Sequence, residues 1–275
     1  MDIETTLNAQ DNDLPDPIRS SNKCSKIMEV EDEQPSKIME ATITGPDTEA
    51  ISQLICNFQK DFALKDRGPL HYFLGVEALF DKHGLFLSQR RYITELLKKT
   101  NMLNANGVSS PMFSSASLSQ FTGDAFSDET LYRSVVGSIQ YLSLTRPDIA
   151  FAVGRVCQFM HCLTIPHWSA VKRILRYLKQ TIHHSLLLKR NSSYHLQAFS
   201  DADCVGCPDD RRSTSGYCLF LGNNLISWSS GKQKTVSHSS AEAEYRAITD
   251  TTAELIWVQS LLRELGISIP QAPIL

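Results

Sequence analysis

The sequence predicts an α+β protein, and three stretches carry that prediction. Residues 51–103 read as a helix, two strands around a turn, and a second helix. Residues 131–181 hold three successive amphipathic segments, and residues 194–266 read as three strands followed by one long helix. With 275 residues there is enough chain for one large domain or two modest ones with a real core.

Residues 1–42 repeat SKIME at 25–29 and 36–40 without sustained periodicity, which reads as an acidic, unstructured leader. The first 50 residues carry 12 Asp/Glu against 4 Lys/Arg, whereas residues 131–190 carry 9 Lys/Arg and one acid, Asp148. An acidic leader on a basic body suits a body that binds polyanions, although a merely solvated basic surface looks the same. The N-terminus lacks a secretory signal, and no run of 18 apolar residues offers a membrane span. Seven scattered cysteines fit reduced thiols in an intracellular chain, in cytoplasm or nucleus.

In order along the chain, ISQLICNFQKDFAL places apolar residues at 51, 54, 55, 58 and 62, a helical stripe. LHYFLGVEALF then passes through Asp81-Lys-His-Gly84 into LFLSQ, two strands about a glycine turn. RYITELLKKTNML places Tyr92, Leu96, Lys99 and Leu103 on one side, with Ile93 and Leu97 beside them, an amphipathic helix. Residues 107–130 are rich in Ser and Gly and form a long loop, with 113–130 the linker proper.

LYRSVVGSIQYLSLT stops at Arg146-Pro147, and DIAFAVGRVCQFMHCL starts with Asp148 in its first turn. HWSAVKRILRYLKQT buries Trp168, Val171, Ile174, Leu175 and Leu178 and gathers Lys172, Arg173, Arg176 and Lys179 on the other side. Cations one helical turn apart, about 5.4 Å, can address successive phosphates. YHLQAFSDAD, STSGYCLFLG and LISWSS form an antiparallel meander, and a helix opens at Ser239-Ser-Ala-Glu242 and closes at Gly266.

SDADCVGCPDD, residues 200–210, poses a choice between thiols and carboxylates as metal ligands. Cys204-x-x-Cys207 has no second pair at zinc spacing, so no zinc is expected. Asp201 and Asp203 fall on one side of a strand at its end. On the long helix, positions 244, 248, 251, 255, 258 and 262 form a stripe, which aligns Glu244 with the sheet-facing side. Glu242 points about 160° away from it. A carboxylate in that position either shares magnesium or manganese with Asp201 or reaches water at the sheet margin.

The stretch SDADCVGCPDDRRSTSGYCLFLGNNLISWSSGKQKTVSHSSAEAEYRA resembles the ribonuclease H region of copia-type LTR retrotransposon Pol polyproteins, especially those of plants. FALKDRGPLHYFLGVEA resembles the end of a reverse transcriptase palm, and YRSVVGSIQYLSLTRPDIAFAVGRVCQFM with HWSAVKRILRYLKQT resembles the thumb and connection that follow. The resemblance covers residues 43–275. It implies a palm end and primer-grip-like hairpin at 43–112, a helical thumb/connection at 131–190, and a ribonuclease H-like mixed sheet with helices from 191 onward. Phe73, Leu74 and Gly75 would then contact nucleic acid alongside the basic helix, and an RNA–DNA hybrid would be the partner.

The family cleaves the RNA strand with four carboxylates and two divalent ions, Mg2+ or Mn2+. Asp201 and Glu244 match the first two carboxylates, while Cys204 stands where the family has Trp. The third carboxylate falls about three residues beyond Leu275, so the resemblance implies a truncated, inactive site that holds metal weakly if at all. The polymerase Asp pair falls on Met39 and Glu40, and methionine is no ligand for a hard cation. Two functions are therefore expected: a reverse transcriptase/ribonuclease H fragment without catalysis of its own, or a nucleic-acid binder using 131–190.

Overall fold

The computed structural model describes residues 24–31, 38–45, 48–61, 64–69, 71–113, 118–190, 193–269 and 271–275. Ten strands and six helices follow along these residues: β1 (Cys24–Glu31), β2 (Ile38–Gly45), α1 (Thr48–Asp61), β3 (Leu64–Pro69), β4 (Tyr72–Phe73), β5 (Val76–Asp81), β6 (Gly84–Ser88) and α2 (Arg90–Lys99). Then come α3 (Glu129–Leu142), α4 (Ala150–Cys157), α5 (Ile165–Gln180), β7 (Leu186–Lys189), β8 (Leu196–Asp203), β9 (Thr214–Leu221), β10 (Asn224–Lys232) and α6 (Ser240–Glu264).

The acidic leader is not wholly unstructured. Its backbone pairs β1 with β2 antiparallel, from Cys24 opposite Gly45 to Glu31 opposite Ile38, and β3 flanks β1. The two SKIME copies fall largely within these strands, whose length was hidden by the surrounding acidic residues. Residues 1–23 and 32–37 lie outside the described residues.

The main core is helical. Ile93, Leu96 and Leu97 of α2 meet Tyr132, Val135, Val136, Ile139 and Leu142 of α3, and α4 and α5 add Val153, Val156, Val171, Ile174, Leu175 and Leu178. Asp128 caps α3 by accepting from the Leu131 N–H at 2.8 Å, satisfying one of the free donors at the helix start. The Tyr132 hydroxyl reaches the Val156 carbonyl at 2.9 Å, so its buried oxygen is paired, and burial pushes its pKa up. Pro147 opens a 3-10 turn between α3 and α4.

Beside that turn Arg146, 2% exposed, grips Asp148 through two bonds of 2.9 and 2.7 Å and also donates to the Thr181 hydroxyl and carbonyl. Burial alone would raise the Asp148 carboxyl, but Arg146 and the Tyr177 hydroxyl outweigh it and hold it below the usual range. Tyr177 is pushed up to about 12 by burial and by the Asp148 charge. This knot fixes the end of α5 to the α3–α4 corner.

Directly after α5 the chain returns to the hairpin region. β7 pairs with β6, giving an antiparallel sheet in the order β4-β5-β6-β7. Residues 186–189 were expected to belong to the helical segment; the structure makes them a strand that closes the earlier hairpin. Gly84 permits the close approach, because a Cβ there would lie 2.0 Å from the Leu188 carbonyl oxygen.

The C-terminal meander forms as expected, in the order β10-β9-β8, with φ of 58° at Gly222 in the turn between β9 and β10. α6 packs on β8 and β9 through Leu255, Val258 and Leu262 against Leu196, Ala198 and Leu219. Ser239 caps it, accepting from the Glu242 N–H at 3.1 Å, while the Glu242 carboxylate takes the His238 N–H at 2.7 Å. Its buried stripe runs 243, 247, 251, 255, 258 and 262. The first two positions differ by one residue from the expected 244 and 248, because the stripe advances by four residues at a time before Leu255. Ile274 then pairs in parallel with Gln197, its N–H and C=O bonding the β8 backbone at Leu196 and Ala198. An otherwise antiparallel sheet thereby becomes mixed.

Candidate carboxylate site and nucleic-acid interface

Asp201 lies on β8 and is exposed, on the same side of the strand as Phe199 and Asp203. The opposite side, with Leu196 and Ala198, carries α6. Glu244, half-buried near the start of α6, therefore belongs to the helix covering the face that Asp201 turns away from. Among the described residues, no three His, Cys, Asp or Glu side chains form a metal-binding group.

Asp203 has a local task. Its Oδ1 accepts from the Thr214 N–H at 2.6 Å, and Gly206 packs so closely that a Cβ there would meet Oδ2 at 2.0 Å. The loop that follows is folded inward rather than splayed for a metal. Cys207 is 1% exposed and its Sγ accepts from Lys232 Nζ at 2.9 Å. Lys232 also pairs with Asp210 at 2.8 Å. Burial would raise the Asp210 carboxyl, yet bonds from Lys232 and Cys207 hold it low; burial would lower Lys232, yet the same contacts push it up. Cys204 is exposed.

The same loop clasps the helical body. Asp209 accepts from the Ser119 hydroxyl at 2.5 Å and the Gln120 N–H at 2.9 Å. Trp228 Nε1 donates to the Ser143 carbonyl at 3.1 Å, and Gly154 brings α4 so near β10 that a Cβ would sit 2.9 Å from the Ser230 oxygen. A cleft of about 530 Å³ lies along this seam, lined in part by Leu144, Val153, Cys157 and Trp228.

The basic face of α5 is largely committed to the protein itself. Arg173 donates to the Ser110 hydroxyl at 2.8 Å and stacks on Phe113 at 3.5 Å. Arg176 donates to the Asn106 carbonyl at 2.7 Å, and Lys179 to the Ala105 carbonyl at 2.6 Å. These three cations fasten the 105–113 loop, while Lys172 faces solvent.

At the hairpin, Phe73 ends β4 and Leu74-Gly75 form the turn, with φ of 47° and 76°. Positive φ at both central residues is the pattern of a type I′ turn. Leu74 is 60% exposed. The Tyr141 hydroxyl of α3 donates to the Leu74 carbonyl, and Tyr92 of α2 packs on Tyr141 with ring centroids 5.2 Å apart. Arg91 pairs with Glu77 at 3.1 Å and covers the Tyr72 ring, fixing the hairpin base. Sequence reasoning missed Tyr141 and Asp209. Both act across more than 60 positions, and no local pattern announces such a bond.

The α+β build with a hairpin seated on helices meets a matching family: residues 38–114 match Reverse transcriptase (RNA-dependent DNA polymerase). The chain is 50% identical over 233 residues to the retrovirus-related Pol polyprotein from transposon RE1 of Arabidopsis thaliana, covering 85% of this chain and 16% of the relative. Against the Pol polyprotein from transposon TNT 1-94 of Nicotiana tabacum it is 39% identical, over 82% of this chain and 18% of that relative. It is also 46% identical to an uncharacterized mitochondrial protein of Arabidopsis thaliana, over 78% of this chain and 89% of the relative. The chain belongs to the copia-type retrotransposon Pol polyprotein family. It spans less than a fifth of the length of the transposon polyproteins it matches. Among the described residues no helix is long and apolar enough to cross a membrane.

Proposed function

We propose that this chain is a segment of a retrotransposon Pol polyprotein that holds a nucleic-acid duplex, preferentially an RNA–DNA hybrid, without cutting or extending it. On this reading residues 43–112 are the end of a reverse transcriptase palm, 131–190 the helical thumb/connection, and 191–275 part of a ribonuclease H-like domain. The observation that carries it is the hairpin: an exposed Leu74 beside a half-buried Gly75, mounted on α2 and α3 at the residues the resemblance assigns to nucleic acid. The parallel pairing of Ile274 with β8 supports the third assignment, since it turns the meander into a mixed sheet.

The resemblance implies divalent metals at the RNA-cleaving carboxylates, but the residues described around Asp201 do not fit a two-cation site. Asp203 is committed to the Thr214 N–H, Glu244 rides on the helix of the other sheet face, and no third carboxylate joins them. Two cations about 4 Å apart repel strongly and need several carboxylates between them. At the polymerase position Met39 and Glu40 stand in place of the Asp pair.

The test is an end-labelled RNA–DNA hybrid incubated with the purified chain and magnesium or manganese, beside Asp201→Asn. Binding that weakens steeply with salt, without cleavage, is the expected result. Cleavage that vanishes in Asp201→Asn would overturn the non-catalytic part, and no binding at low salt would overturn the whole.

A further inference from the structure

The loop between β8 and β9 buries a thiol against an amine. Cys207, 1% exposed, holds its Sγ 2.9 Å from Nζ of Lys232 at the end of β10. Asp210 Oδ1 lies 2.8 Å from the same nitrogen and also takes a bond from Cys207, so sulfur, nitrogen and carboxylate form a triangle. The ion pair of Lys232 with Asp210 is complete without a sulfur beside it. Burial pushes the thiols of Cys157 and Cys218 up, which makes them poor nucleophiles, whereas the Lys232 cation at Cys207 Sγ assists attack by that sulfur. The side chains of Lys232 and Asp210 are 21% and 37% exposed, so the triangle opens to solvent on its charged side. Burial of Cys207 shuts out bulky thiols and leaves hydrogen peroxide, close to water in size, as the oxidant that reaches it.

We propose that Cys207 and Lys232 are a modification site, at which hydrogen peroxide joins Sγ to Nζ through a covalent sulfenamide bond. The thiol attacks peroxide first: the S–H and O–O bonds break, the S–O bond of a sulfenic acid forms, and one water leaves. Nζ then attacks Sγ. An S–N bond forms, the S–O bond breaks, and the departing hydroxide takes a proton from Nζ to leave as a second water. Sulfur is oxidised by two electrons, peroxide is reduced, and the protein ends two hydrogens lighter. The attacking amine must be free of its extra proton. Burial favours the free amine, but Asp210 and Cys207 outweigh it and hold the proton on Lys232. Conversion of the sulfur to an uncharged sulfenic acid removes the Cys207 share of that hold, and Asp210 is placed to accept the proton. The bond fastens the 204–213 loop to β10. Because Asp209 of that loop holds Ser119 and Gln120, it also secures the sheet to the helical body.

The experiment treats the purified full chain and its Cys204→Ser and Lys232→Arg variants with hydrogen peroxide, alkylates the remaining thiols in denaturant, and weighs the tryptic peptides. Cys204→Ser excludes a disulfide between Cys204 and Cys207, which would also remove two hydrogens. Lys232→Arg keeps a cation for Asp210 but offers a guanidinium, which stays protonated and does not attack sulfur. The expected product is a Cys207 peptide joined to a Lys232 peptide, two hydrogens lighter than their sum and uncut after Lys232. It should form in the parent and in Cys204→Ser and be released by dithiothreitol. The melting temperature should rise by about 5 °C on oxidation, since the bond closes a loop in the unfolded chain. In Lys232→Arg neither the link nor the rise should occur. Oxidation of Cys207 to sulfinic acid without a link, a link that retains an oxygen atom, or a Cys207 still free for alkylation once Cys204 is fully oxidised overturns the proposal.

Discussion

The helical body and the C-terminal sheet are built to different standards. In the body, α2 through α5 enclose a continuous core in which Tyr132, Ile139, Leu142, Ile174 and Leu178 are wholly buried. In the sheet, six residues supply the buried cluster, and Phe199, on the side away from α6, is 62% exposed. Burial of apolar area is the main source of stability, at roughly 25 cal/mol per Å². The body can therefore carry the fold, while the sheet depends on what holds it to the body. The residues most suggestive of chemistry, Asp201 and Glu244, ride on the weaker half.

The sharpest way to test that contrast is to break the body at the buried ionic knot of Arg146 and Asp148. Asp148→Ala leaves Arg146 buried and unpaired and should cost about 3–5 kcal/mol, measured by urea unfolding. A loss below about 1 kcal/mol would show that the knot is dispensable. The pair also sets an acid limit. The Asp148 pKa is lower in the fold than its free value of 3.8, so its contribution is complete above that value and is lost as pH falls below it.

Next in size is the seam between the halves. Gly154→Ala places a methyl group 2.9 Å from the Ser230 oxygen and forces α4 away from β10, at about 1–3 kcal/mol. If the sheet depends on the body, this substitution should expose the 204–232 region to limited proteolysis before the helices are cut. Simultaneous loss of both would mean that the halves fold as one unit.

A smaller effect comes from His167, fully buried, its Nδ1 accepting from the Thr164 N–H at 3.1 Å. Burial holds its pKa below 6.5, against a weaker upward pull from Asp209 and Ser119. The unfolded chain therefore binds the proton more readily, so stability is full above pH 6.5 and declines as pH falls below it. His167→Gln keeps a side chain that serves this cap position but cannot titrate. Melting temperature between pH 7.5 and 5.5 should fall less in the variant than in the parent; equal slopes would assign the decline to another group, such as His184, whose pKa burial also lowers.

These contrasts mark what the sequence could reveal. The meander, the α6 caps and the amphipathic helices are local patterns, and each was legible within a dozen residues. β7 was not, because Leu-Leu-Leu-Lys is too short to show a period and its partner lies about a hundred positions earlier. The basic stripe on α5 shows in the sequence as a spacing of cations, but backbone carbonyls at Ala105 and Asn106 have no sequence signature, so their claim on Lys179 and Arg176 is invisible there. The DAD motif showed two aspartates on one side of a strand, yet only the folded loop shows Asp203 bound to Thr214 and Asp201 without such a task.

The smallest expected effect is the most informative about that last pair. Asp203→Ala removes the acceptor for the Thr214 N–H and loosens the 204–213 loop that clasps Ser119, and should cost about 1–2 kcal/mol. Asp201→Asn changes an exposed carboxylate and should shift stability by less than about 0.5 kcal/mol. Melting curves of the two variants decide the matter. If Asp201→Asn is the costlier, the carboxylate is part of the scaffold and has no claim to be a site. If it is neutral, the described fold gives the Asp201 carboxylate no structural task, as the proposed contact of the open sheet face with nucleic acid requires.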